Sequence, residues 1–84
     1  MIYLIAPRIK VAENAAHFLN LPRGTWRFAT EVEHLRTKNP EPGDIFIHVY
    51  SRNYELTSDD IARRDALRAF LKDHHIQVVS YTSP

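Results

Sequence analysis

Arg8, Ser51, Arg52, Asn53, Tyr54 and Arg63 are the residues of this chain whose types suit ligand chemistry. Guanidinium forks grip phosphate or carboxylate through paired hydrogen bonds, while serine, asparagine and tyrosine add neutral donors and acceptors. Together they would bind an anion or a nucleobase, provided the fold gathers them. No motif supplies a reaction. The stretch "APRIKVAE" puts proline and arginine where a dinucleotide-binding turn needs glycines, and no GxxxxGK[ST] occurs. The absence of cysteine excludes disulfides, thiolate zinc sites and cysteine nucleophiles. The histidines at 17, 34, 48, 74 and 75 form no HExxH, and neighbours such as His74 and His75 project about 100° apart on a helix, a poor arrangement for one metal. His74 and His75 are expected to complement the negative end of a helix instead. Asp59 and Asp60 suit the positive end of a helix, and Glu55 is the nearest acid that would pair with them. No catalytic residue, metal site or cofactor is expected.

The elements that must position these residues follow from hydrophobic periodicity. "IYLIA", Ile2 to Ala6, and "IFIHVY", Ile45 to Tyr50, are continuous apolar runs of the kind found in strands covered on both faces. From Arg8 to Asn20, the residues Val11, Ala12, Ala15, Phe18 and Leu19 recur on one helical face, and Asn20 with "LPRG" ends the helix. Thr25 to Ala29, "TWRFA", reads as an edge strand because Arg27 sits in its middle. Thr30 with Glu33 predicts a capping box for a second helix from Glu31 to Thr37 that buries Val32 and Leu35. "KNPEPGD" permits neither helix nor ladder.

Thr57 or Ser58 caps a third helix that runs to about Asp73, with Ala62, Ala66, Leu67, Phe70 and Leu71 on one face. Arg63 falls at the centre of that face. Either its stem snorkels past the sheet to solvent or its guanidinium enters the same crevice as Arg8 and Arg52. Ile76 to Tyr81 closes as a fourth strand, and "TSP" is a frayed tail. His48 alternates with Ile47 and Val49 and reads as a hydrogen-bonded core histidine, a catalytic base being the alternative.

Alternating strands and helices imply a parallel sheet with right-handed crossovers. With the two most apolar strands innermost, the spatial order is 2-1-3-4, in a three-layer α/β sandwich of four strands and three helices that occupies residues 1–84 as a single domain. The winding then reverses between the first and third strands. Ligands of open α/β sheets bind at such a reversal, which is where Arg8 and the Ser51–Tyr54 loop would lie.

Composition narrows the partners. Eleven Lys and Arg against ten Asp and Glu give a net charge of +1, well short of a nucleic-acid footprint. The apolar start is too short for a signal peptide or a membrane span, so a cytoplasmic protein without membrane attachment is expected. An 84-residue domain buries only roughly 60 to 65% of its unfolded surface, so its margin is thin and an exposed apolar seam for a homodimer is expected. Trp26, Arg27 and Phe28 are the preferred place for that interaction surface, since Trp and Arg dominate binding hot spots. The alternative is that Trp26 and Phe28 cover the sheet while Arg27 blunts its edge.

"MIYLIA", "AENAAHFLNL", "WRFAT" and "DIFIHVY" together resemble a group of short uncharacterised proteins encoded by actinobacterial viruses, which begin M-I-Y-x-I-A and carry W-R-[YF]-[VA]-T at the second strand. The similarity spans most of the chain, which departs from the pattern in its longer "RTKNPEPGD" connection. The group has no assigned activity and no catalytic residues to transfer. The resemblance implies a small Rossmann-like, flavodoxin-like domain, a bacteriophage-encoded accessory protein working in the host cytoplasm. The function expected is non-enzymatic interaction with a host or phage protein. A degenerate nucleotide or phosphate binder using the crevice is the alternative.

Overall fold

In the computed structural model, which describes residues 1–36, 41 and 43–83, the chain forms β1 (Ile2–Ile5), α1 (Ile9–Phe18), β2 (Trp26–Ala29), α2 (Glu33–Arg36), β3 (Ile45–Ser51), α3 (Ser58–Asp73) and β4 (Val78–Ser83). The four strands make one sheet in the order β2-β1-β3-β4, every pair parallel. This is the Rossmann-like arrangement expected, with β1 and β3 innermost. Apolar alternation assigns the layers. Leu4, Ala6 and Val49 face α1 together with Val11, Ala12, Ala15 and Ala16. Tyr3, Ile5 and Phe46 face the other way, packing with Leu35 of α2 and with Leu67 and Leu71 of α3. Tyr3 and Phe46 stack with ring centroids 4.8 Å apart on that second face.

Both long helices end in the same way. Asn20 and His75 take left-handed backbone at φ 56° and 58°. Leu21 N–H then reaches back to Ala16 C=O and Ile76 N–H to Leu71 C=O, the Schellman pattern that satisfies a last-turn carbonyl. This turn uses up Ile76 and Gln77, so β4 begins at Val78 and not at Ile76. Thr82 and Ser83 belong to the strand, pairing with Tyr50 and Ser51, so the expected frayed tail is corrected for these two residues. Pro84 lies outside the described residues.

Three further expectations are revised. Phe18 is 53% exposed and Ala16 is buried in its place, because α1 lies close against the sheet through small side chains. α2 is a single turn from Glu33, and no Thr30–Glu33 capping box forms: Thr30 N–H donates to His34 Nδ1 at 3.1 Å. Thr37 and most of "KNPEPGD" lie outside the described residues. On α3, Ala62 and Ala66 are exposed, and the inward line runs through Asp60, Leu67 and Leu71, with Arg63 half-buried beside it.

Candidate functional site

Thr57 caps α3. Its hydroxyl accepts from Asp60 N–H at 3.1 Å, and the Asp60 carboxylate accepts from Thr57 N–H at 3.0 Å, a reciprocal capping box. The cap also fixes Asp60 at the carboxyl end of the sheet, where the first βα turn delivers Arg8. Arg8 Nη1 donates to Asp60 Oδ1 at 2.9 Å and to Pro7 C=O at 2.7 Å. Arg63 Nη2 donates to the same Oδ1, and the Tyr54 hydroxyl lies 3.3 Å from Oδ2. Arg8 also sits over the Tyr54 ring, 5.9 Å from its centroid, within cation–π range.

The Asp60 side chain is sealed from solvent, yet both oxygens are engaged. The Thr57 N–H chiefly holds its carboxyl down at about 2; desolvation opposes this, and the Thr57 side chain and Arg8 assist. Asp60 is therefore a permanent anion at neutral pH. Its carboxylate is held between the Arg8 and Arg63 guanidiniums.

Of the six residues expected to line this crevice, the fold brings Arg8, Tyr54 and Arg63 together around Asp60. Ser51 ends β3 and lines, with Pro7, Tyr50 and Tyr54, a small hollow of about 60 Å³. Arg52 and Asn53 are exposed in the turn that follows. An open cleft of about 440 Å³ flanks the cluster on the β2 side, bounded by Arg8, Phe28, Thr30, Glu31 and Arg63. The Glu31 carboxylate at its rim opposes an anion.

Beneath Asp60 lies a cavity of about 20 Å³, room for one water, lined by Ile5, Thr30, His48, Tyr50 and Arg64 among others. His48 is buried there and stacks on Tyr50, with Nδ1 3.4 Å from the Tyr50 hydroxyl. Burial first, then the Arg68 and Arg64 charges, lowers its pKa to about 4, so the ring is neutral at pH 7. A neutral, enclosed imidazole fits the core histidine read from the alternation. Among the described residues no group of three or more His, Asp or Glu is placed to hold a metal ion, and no helix is long and apolar enough to cross a membrane.

The sheet has two unlike edges. β2 is four residues long; Trp26 and Phe28 turn toward the α1 cluster, half-buried, and Arg27 is exposed. β4 is six residues long, "VVSYTS", with neither charge nor proline. Val79 is 59% exposed, and Ser80 and Thr82 are exposed too. Such an edge is open to another strand. A groove of about 570 Å³ runs beside it, bounded by Arg68, Ala69 and Lys72 of α3 and by Ile76, Gln77 and Val78. The order 2-1-3-4 already sets this strand at an edge, but the interaction surface was expected at Trp26, Arg27 and Phe28, because Trp and Arg dominate binding hot spots. The uncharged composition of "VVSYTS" was the signal that would have found it.

No protein-family model matches the chain, no curated protein matches it in sequence, and no solved structure matches it in fold.

Proposed function

We propose that the chain is a non-enzymatic interaction protein whose open β4 edge takes a strand from another polypeptide. One observation carries the reading: β4 presents six uncharged residues, with Val79 59% exposed, on the outer rim of a parallel sheet. Natural edges of this length are ordinarily blunted by Lys, Pro or a bulge, as Arg27 blunts β2. Strand addition obtains affinity from main-chain hydrogen bonds and selectivity from alternate side chains. The two ionisable groups that the fold gathers serve structure, Asp60 as cap and ion-pair hub and His48 as a neutral core ring. The resemblance to proteins encoded by actinobacterial viruses supports a partner among host or phage proteins in a bacterial cytoplasm.

The test is capture on immobilised wild type and on a Val79→Lys variant, from an actinobacterial lysate supplemented with the purified chain itself. Val79 is exposed, so the lysine leaves the core intact and blunts the edge. Loss of retained polypeptides on the variant supports the reading. An identical retained set on both columns overturns it.

A further inference from the structure

Resting on that reading, we infer that the strand taken up is β4 of a second copy of this chain, joined antiparallel about a two-fold axis perpendicular to the sheet at Val79. Such an axis keeps α3 of each copy on the same face of a continuous sheet, so the two α3 helices run side by side in opposite directions. Their facing residues are set by the groove that separates α3 from the edge. Arg68 and Lys72 bound it, and Asp65 lies one turn before Arg68 on the same side of the helix.

The level of these residues on the strand is bracketed by their shared neighbours. Arg64 shares a cavity with His48 and Tyr50, whose β4 partners are Ser80 and Thr82, while Arg68 and Lys72 share the groove with Val78. Val79 lies between these two levels, and the axis of the inferred pairing is placed there, beside the middle of the Asp65–Arg68 pair. A two-fold there sets Asp65 against Arg68 of the other copy, and Arg68 against Asp65. The strip is acidic at one end and basic at the other, so reversal makes it complementary to itself. Asp65 already takes Arg64 Nε and Nη2 on Oδ1 at 3.3 Å each, which leaves Oδ2 to the second copy. The axis also lays Val79, the most exposed of the large apolar side chains, against its own copy. The pairing is isologous, as closed dimers require.

Two measurements test it. Since the chain has no cysteine, Val79→Cys introduces one thiol. Directly opposed strand residues have Cα atoms about 4.5 or 5.5 Å apart, inside the disulfide range. Mild oxidation should give a covalent species of twice the 9.8 kDa chain mass, while Thr25→Cys, exposed before β2, should stay single. In sedimentation, wild type should show the doubled mass. Asp65→Arg and Arg68→Asp should each show the single mass with unchanged circular dichroism, and their equimolar mixture should recover the doubled mass, because each variant then faces opposite charge.

A wild type of single mass with no preferential Val79→Cys linkage overturns the inference. If Val79→Lys still abolishes capture in that case, the edge reading survives and the occupant is a different protein. A doubled mass unaffected by either charge change and without Val79→Cys linkage puts the dimer seam elsewhere and overturns it as well.

Discussion

Arg8 Nη1 and Asp60 Oδ1 stand 2.9 Å apart, joining residues separated by 52 positions, and this pair closes the carboxyl end of the sheet. It couples the turn after β1 to the first turn of α3. The consequence is a crevice whose charges satisfy one another, and several outcomes follow from it.

Asp60 has a folded pKa of about 2 against an ordinary 3.8, so the unfolded chain binds the proton first as pH falls. Its contribution is complete above pH 3.8 and is lost progressively down to about 2. Urea midpoints of wild type should exceed those of Asp60→Asn at pH 7, and the gap should close across that window. Thr57→Ala, which removes only the hydroxyl half of the cap, should cost about 1 kcal/mol, or about 4–8 °C in midpoint for a domain of this size.

His48 behaves in the same direction through a different cause. Its folded pKa of about 4 lies below the ordinary 6.5, so between these values the unfolded state binds more protons and stability falls as pH is lowered. Its ring resonances should titrate near pH 4, while those of an unfolded peptide titrate near 6.5. His48→Phe should flatten the stability curve over that interval. A native titration near 6.5 would contradict the enclosed, neutral ring.

The self-satisfied crevice leaves little for a free anion. Inorganic phosphate and nucleotides should leave the wild-type melting midpoint unmoved beyond the effect of ionic strength, whereas a bound ligand at 100 times its dissociation constant would add about 2.7 kcal/mol. Asp60→Ala removes the resident carboxylate while Arg8 and Arg63 remain. That variant should melt lower than wild type and regain part of the loss in phosphate. A phosphate-dependent rise in the wild type would reopen the phosphate-binding alternative.

Ala12 and Ala15 are fully buried where α1 meets the sheet, and Trp26 and Phe28 pack into the same cluster. The aromatic bulk on β2 leaves room only for methyl groups opposite. Ala15→Leu should therefore destabilise by about 1–3 kcal/mol through overpacking. Phe18→Ser, on the exposed end of α1, should change the urea midpoint far less.

Strand order, the two inner strands and the α3 cap were legible in local pattern, because apolar runs, a threonine cap and a left-handed asparagine act over a few residues. Phe18 was misplaced because the helix-facing layer is filled from β2, a fact of packing that the periodicity of α1 does not contain. β4 began late because His75 adopts φ 58° to finish α3, and a histidine at that position gives no glycine-like signal. Asp60 read correctly as a cap, but its tie to Arg8 is a long-range meeting made by the crossover. Arg52 and Asn53 are exposed in the turn after β3 and make no hydrogen bond to the Asp60 cluster, and a topological address alone does not contain side-chain direction.

The unequal rims of the sheet bear on how far association can go. In the proposed pairing β4 of each copy is used up, and the margins left outward are the two β2 strands, four residues long and each bearing the exposed Arg27 cation. Growth by that strand addition would terminate after one step. A pair closed in this way would be protected from stacking into fibrils, without any proline or lysine gatekeeper within β4.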